Sequence, residues 1–381
     1  MRLSEAALPM FARHETFHPR YGWFRKAYEA ALDSADTFSN PEATVELGVG
    51  KNMVKSIRFW GTAAKLIANN PNSPNKRTPG VAPTELGKLL FNPTDGWDPF
   101  MEHPATLWLL HWNLLAKPCH LPVWWVAFNQ FVAVEFDATD LESACASALE
   151  SAAEWKTPHA SSVHKDITAM LRTYAPPERS TRNNIDDMLN CPLRELGLVA
   201  KSLATGNYRF TMGLKPSLVP AVVAYAALDF VARANLDAAN PTGANTSPSG
   251  ASANTQNAAK NVATKASGAS QTALLSRLAN EAGSPGKAFK LTESELAVLL
   301  GEAAQDSHGQ LALASPAGAT QLVWDGDPAK LGIEMLNSYY KNQCVGDLSA
   351  PQAGMPSNDE LDNPRTRNGH VRLASTAAGV M

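Results

Sequence analysis

The sequence predicts a mainly α protein of the α+β kind. Its parts are a helix-turn-helix or winged-helix-like N-terminal unit, a helical core domain and a small C-terminal helix-plus-hairpin unit. Three observations lead there. Apolar residues recur at intervals of three and four through most of residues 1–237. The short strand-like runs Gln310-Leu311-Ala312-Leu313 and Gln321-Leu322-Val323-Trp324 flank a turn at Gly318. A chain of 381 residues with 44% hydrophobic content is long and apolar enough for two or three packed domains.

The N-terminal block, residues 1–95, carries the most informative pattern over 39–68. Asn40 caps free amides and Pro41 is tolerated in the first turn, so a short helix is expected over 41–47. Gly48-Val49-Gly50 then makes a tight turn. A longer helix is expected from Lys51 to about Ala68. Met53, Ile57, Trp60, Ala64 and Ile67 fall on one buried stripe; Lys51, Lys55, Arg58 and Lys65 lie opposite, with Asn52 beside them. Val81-Ala82-Pro83 is placed to close a wing, yet the segment before it carries Pro71, Pro74 and Pro79 and predicts no clear strand.

Residues 96–237 read as the helical core domain. The two most apolar segments, 106–115 and 121–134, are interrupted by His111, Asn113 and Asn129, and read as buried helices rather than membrane spans. Residues 238–272 are almost wholly Ala, Asn, Thr, Ser and Gly, the composition of a flexible linker. In the C-terminal unit, residues 273–345, Thr292-Glu293-Ser294-Glu295 reads as a capping box ahead of the two strands. Residues 346–381 read as a disordered polar tail.

Composition narrows function. With 33 Lys+Arg against 36 Asp+Glu, the net charge is −3, so nucleic acid must be met by a local basic face rather than bulk charge. Cys119, Cys145, Cys191 and Cys344 form no C-x-x-C pair, which excludes a zinc ribbon and gives no disulfide framework. The first residues lack the pattern of a signal peptide, and the expected location is cytoplasmic, without a membrane. P-loop, dinucleotide-binding and nucleophile-elbow motifs are absent.

The candidate contacts follow. His14-Glu15-Thr16-Phe17-His18 matches the zinc-peptidase pattern, but Pro19 pushes His18 out of helical conformation, so a metallopeptidase is not expected. Arg13, Arg20 and Lys26 interleave with Phe11, Phe17 and Trp23, a mixture suited to phosphate contact and base stacking, or equally to a structural ion-pair cluster. Lys51, Asn52 and Lys55 are placed to reach base edges from the start of a recognition helix, with Arg58 on the same face; the alternative is a solvated helix face. For cleavage, His14 and Glu15 are the acid/base candidates and Asp98 with Glu102 the Mg²⁺ candidates. Asp186-Asp187 is a second acidic pair, and Asp98 before Pro99 serves equally well as a helix cap. Lys215, with Pro216 and Ser217, opens a helix whose start can take a phosphate or an ordinary cap.

Several motifs carry a family resemblance. They are Phe11-Ala12-Arg13-His14-Glu15-Thr16-Phe17, Arg20-Tyr21-Gly22-Trp23, Glu46-Leu47-Gly48-Val49-Gly50-Lys51-Asn52-Met53, Ile57-Arg58-Phe59-Trp60, Gly96-Trp97-Asp98-Pro99, Lys215-Pro216-Ser217-Leu218 and Phe289-Lys290-Leu291-Thr292. Together they resemble a bacterial family of unknown function, numbered four-thousand-and-seven. The resemblance implies a defence role: a Mg²⁺-dependent nickase acting on double-stranded DNA, opening one strand for sulfur insertion. The implied partners in phosphorothioation are a cysteine desulfurase, a reductase-like sulfotransfer enzyme and an ATPase. The alternative is a non-catalytic DNA-binding adaptor or transcriptional regulator that recruits the sulfur-modification enzymes.

Overall fold

The computed structural model describes residues 1–73, 79–176, 191–239 and 271–349. The chain begins with α1 (Leu3–Ala6) and α2 (Trp23–Asp33), whose Trp23, Phe24, Ala27, Tyr28 and Ala31 are buried. A 3₁₀ turn (Thr37–Ser39) leads to α3 (Ala43–Glu46) and then α4 (Lys51–Ala63). The expected helix to about Ala68 is shorter than predicted. Lys65 adopts φ +60°, and the Leu66 amide turns back to the carbonyl of Gly61, so the chain leaves the helix before Ile67. Ile67 is buried on a strand instead of on the helical stripe.

That strand, β1 (Ile67–Asn69), pairs antiparallel with β2 (Val81–Pro83), in the register Ile67↔Pro83, Ala68↔Ala82 and Asn69↔Val81. The strands flank the Pro-bearing segment: β1 lies in the stretch expected as helix, and β2 is the Val81-Ala82-Pro83 run. The ladder bonds run from Asn70 to Gly80 and from Thr84 to Leu66, which leaves Pro83 at a position needing no amide donor. Helix α5 (Glu85–Phe91) follows, capped by the Thr84 hydroxyl. Its Gly87 passes so close to the Leu66 carbonyl that an added Cβ would lie 2.2 Å from the oxygen.

The centre is α6 (Pro104–Leu115) and α7 (Pro122–Asn129), buried on almost every face. Around them lie α8 (Ala138–Glu150), α9 (Ala160–Tyr174), a 3₁₀ turn (Pro192–Leu196), the antiparallel pair β3 (Val199–Lys201) and β4 (Tyr208–Phe210), and α10 (Pro220–Ala239). His111 on α6 bonds the Tyr174 hydroxyl at 2.8 Å and the Ala288 carbonyl at 2.9 Å. Burial pushes its pKa down to about 3, so the ring acts as a neutral two-ended tie.

The last block contains β5 (Gln271–Leu274), α11 (Leu275–Asn280), α12 (Pro285–Phe289), α13 (Glu293–Asp306), β6 (Leu311–Ala314), β7 (Gln321–Trp324) and α14 (Pro328–Ser349). The expected capping box at Thr292 and Glu295 is present, and β6 and β7 form the expected hairpin. Strand β5 adds a third member on the far side of β7, an edge that the sequence did not mark. Of the expected linker and tail, residues 240–270 and 350–381 lie outside the described residues, while α14 carries the chain through Ser349.

Met1–Lys341 forms one compact unit, and a single apolar cluster reaches from Leu3 to Tyr340. The three blocks read from the sequence therefore share a core. Phe289 shows how: its ring packs against Trp108, His111 and Trp112 of α6. The following residue, Lys290, takes φ +55° at the end of α12. Its ammonium donates to the Phe128 carbonyl at 2.8 Å and sits 4.1 Å from the centre of the Phe210 ring. Lys215 donates to the carbonyls of Phe289 and Lys290 at 2.8 and 3.1 Å. It is buried on the end of α12, so the expectation that it offers its charge to a phosphate is corrected.

Burial lowers the pKa of Lys290 to about 7 and of Lys215 to about 8, from 10.5. Between those values and 10.5 the unfolded chain binds more protons than the folded one, so the contribution of these amines to stability rises with pH and falls towards pH 7. The melting temperature of Lys290→Met should climb less from pH 7 to pH 9 than that of the parent chain. Parallel curves would show that the buried amine does not titrate in this window.

Candidate nucleic-acid interface

The elements α2, α3 and α4 meet in a small separate cluster. Ala30, Ala43, Leu47 and Val54 are buried in it, with Phe38 and Val49 against them. Gly48 takes φ +63°, the left-handed conformation that turns the chain between α3 and α4 at least cost without a Cβ. Gly50, before α4, offers no side-chain cap, so the first-turn amides of α4 have no side-chain acceptor. Lys51, Asn52 and Lys55 are exposed at this end. The Lys55 ammonium lies 3.4 Å from the Asn52 side-chain oxygen and 3.3 Å from Glu15. Positive side chains and the positive end of the helix dipole thus coincide.

Other expected cations point inward. Arg58 is half-buried and donates to the Asn69 side chain at 3.1 Å and the Pro79 carbonyl at 2.7 Å, bracing the hairpin; desolvation lowers its pKa. Lys26 donates to the Leu47 carbonyl at 2.8 Å and holds the end of α3 against α2. Lys65 donates to the carbonyls of Asn113 and Ala116, and burial lowers its pKa to about 7. Its charge serves the core, not the outer face of α4. Arg20 lies over the Trp23 ring at 5.7 Å, partly exposed, and Arg13 is exposed.

The loop that carries Arg13 explains itself through His14. Ala12, Glu15 and Thr16 all have positive φ, so no helix runs through the His-Glu-x-x-His stretch and the peptidase geometry is not formed. His14 is 1% exposed, enclosed by Phe59, Trp60 and Trp124. Its Nε2 bonds an Asp166 carboxylate oxygen at 2.7 Å, and the Ala12 amide donates to the same oxygen at 2.8 Å. Burial raises the Asp166 pKa, against the opposing pull of the His14 hydrogen bond. Ser56 of α4 donates to the His14 carbonyl at 3.0 Å. The expected general acid/base role of His14 is corrected on this ground: its ring lies inside the core. Glu15, at the surface, pairs with Lys55.

The metal pair is corrected too. Asp98 is buried; one oxygen accepts the Glu102 amide at 2.8 Å. The other accepts the His103 amide at 3.1 Å and the Thr106 hydroxyl at 2.5 Å. These donors make Asp98 the anchor of the turn entering α6, and its link to Glu102 is through the backbone. Among the described residues no three His, Cys, Asp or Glu side chains come together as a metal set. Asp186 and Asp187 lie outside the described residues.

Asp166 and Ser56 are the residues sequence reasoning missed. Asp166 is 152 positions from His14, and no period or motif links the two. Its one signal was a carboxylate placed among the buried positions of an amphipathic helix, alongside Val163, Ile167 and Met170.

Fold and site define a mainly helical protein with small antiparallel sheets and a cationic helix start at its surface. No helix among the described residues is long and apolar enough to cross a membrane. The chain belongs to the family described as "Protein of unknown function (DUF4007)", whose profile matches residues 11–242 and 254–340. It is similar to the SspB crystal structure, with 34% identity, a TM-score of 0.74 and coverage of 90% of this chain and 91% of that one. It is also similar to the magnesium ion-bound SspB crystal structure, with 34% identity, a TM-score of 0.75 and 90% coverage of both chains. Comparison with curated proteins finds no match.

The capping role of Asp98 has a direct test. Asp98→Ala should cost about 1–3 kcal/mol of stability, the range for orphaned buried donors, with and without Mg²⁺. A loss seen only as missing stabilisation by Mg²⁺ would overturn the capping role in favour of a ligand.

Proposed function

We propose that this chain binds double-stranded DNA through the start of α4 and acts as the strand-nicking component of a bacterial DNA phosphorothioation system. The observation that carries the DNA reading is the exposed group Lys51, Asn52 and Lys55 on an uncapped helix start. In this reading α3, the Gly48 turn and α4 are a helix-turn-helix and the β1–β2 hairpin is its wing. Arg13 and Arg20 extend the contact, Arg58 and Lys26 hold the wing and α3 in place, and the amides of α4 meet a phosphate. The second helix-plus-hairpin unit is unsuited to contact with DNA, because α13 carries Glu293, Glu295, Glu302 and Asp306 and no Lys or Arg.

The nicking reading rests on the likeness to SspB over 90% of the chain, and Mg²⁺ as cofactor on the magnesium-bound relative. The partners are then a cysteine desulfurase, a reductase-like sulfotransfer enzyme and an ATPase. Among the described residues no three His, Cys, Asp or Glu side chains come together, so no catalytic step is assigned to them. A second reading, a non-catalytic DNA-binding adaptor for the same enzymes, is favoured by one observation. His14 and Asp98, the residues whose types suit cleavage, are both engaged in internal hydrogen bonds.

Two measurements bear on these readings. Lys51→Ala with Lys55→Ala should weaken duplex binding roughly tenfold and lower the salt slope by about two, one per phosphate contact. Unchanged affinity would remove α4 as the contact. Supercoiled plasmid should be converted to open circle by the purified protein with Mg²⁺ but not with EDTA. Intact plasmid alongside a salt-sensitive mobility shift, with the partner enzymes present, would leave the adaptor.

A further inference from the structure

Helices α8 and α9 enclose a groove of about 820 Å³ that the DNA reading does not use. Its apolar lining comes from Ala146 and Leu149 on α8, Trp155 on the connecting loop and Val163 on α9. Glu142 and Glu150 stand beside these residues. The volume falls in the range of sites that bury a substantial ligand or anchoring side chains.

Charge decides the class of occupant. Of the groove's lining residues Glu142 and Glu150 carry charge and none is Lys or Arg, while the exposed Lys156 sits between the lining residues Trp155 and Thr157. Two carboxylates and no Lys or Arg in the lining favour a cationic over an anionic occupant. Glu142 is bonded to His164 of α9 at 2.6 Å, which places a carboxylate on the line between the two helices. Trp155 is half-buried and meets the Phe11 ring edge-on at 6.3 Å, leaving a supported aromatic surface of the kind that anchors protein interfaces.

We propose that this groove docks an amphipathic helical segment of a protein partner. Its aliphatic or aromatic side chains lie on Leu149 and Trp155, and its Lys or Arg residues face Glu142 and Glu150. Apolar contacts supply the affinity, as in other helix-in-groove complexes. The carboxylates set orientation and select against acidic segments. The inference does not depend on DNA binding or nicking.

The test uses the full chain and two fluorescein-labelled amphipathic helices of about 18 residues, five turns. One probe has Leu on one face and Lys on the other; its counterpart replaces every Lys by Glu. Fluorescence anisotropy should show saturable binding of the Leu/Lys probe, weakened by salt, and none of the Leu/Glu probe. Ala146 is exposed, so Ala146→Trp fills the groove without altering charge and should cost roughly tenfold in affinity, one large interface contact. Glu142→Gln with Glu150→Gln should lower affinity by about the same factor and flatten the salt dependence. The double variant carries the test alone if Ala146→Trp does not fold, as read by circular dichroism. Absence of saturable binding, equal binding of both probes, or Leu/Lys binding untouched by the folded variants would each overturn the proposal.

Discussion

The hydrogen bond between His14 and Asp166 ties the first turns of the chain to a helix 152 residues away, inside a wall of Phe59, Trp60 and Trp124. Much of the surface around α4 depends on it. The loop over residues 11–17 takes positive φ at three non-glycine positions, a conformation that L side chains enter at a cost and that surrounding contacts must hold. Here the contacts are the Ala12 amide on Asp166, the Ser56 hydroxyl on the His14 carbonyl and the Trp60 indole on the Phe17 carbonyl. With them in place, Arg13 stays exposed and Glu15 meets Lys55. A buried polar pair of this sort fixes one arrangement of the chain, because breaking it strands both groups in a low-dielectric core.

A similar pattern runs through the cations. Lys26, Arg58, Lys65, Lys215 and Lys290 all donate to main-chain carbonyls, most of them at the ends of helices or beside strands. Carbonyls at helix ends lack an intrahelical donor, so such cations supply one. The result is a protein whose basic residues divide into two populations. One joins elements internally; the other faces outward, at Lys51 and Lys55 and at scattered positions such as Lys88, Arg277 and Lys330, which pair with neighbouring carboxylates. With a net charge of −3, any positive potential on this surface is local.

The helix-plus-hairpin plan occurs twice with opposite electrostatics. The N-terminal copy places Lys51, Asn52 and Lys55 at an uncapped helix start; the C-terminal copy places Glu293 and Glu295 in the first turn of α13 and closes it with a capping box. An anion is attracted to the first and excluded from the second. Two units of the same plan thus differ in the charge at their helix starts, a property of side chains rather than of fold.

Local chemistry made much of this legible in advance. The Gly48 turn, the buried stripe from Ile57 to Trp60, the Thr292 capping box and the β6–β7 hairpin follow from residue type and spacing, since each is stabilised by neighbours a few positions away. The end of α4 at Ala63, the β1–β2 ladder, the third strand β5 and the single shared core were not legible in advance. They depend on long-range partners: the Asn113 and Ala116 carbonyls for Lys65, and Trp108, His111 and Trp112 for Phe289. The sequence by itself determined the mainly helical class and the apolar face of α4 from Ile57 to Trp60, because periodicity is a local property. Only the tertiary structure decided which His, Asp, Lys and Arg side chains remain at the surface, because the carbonyls and carboxylates that draw them inward come from elsewhere in the chain.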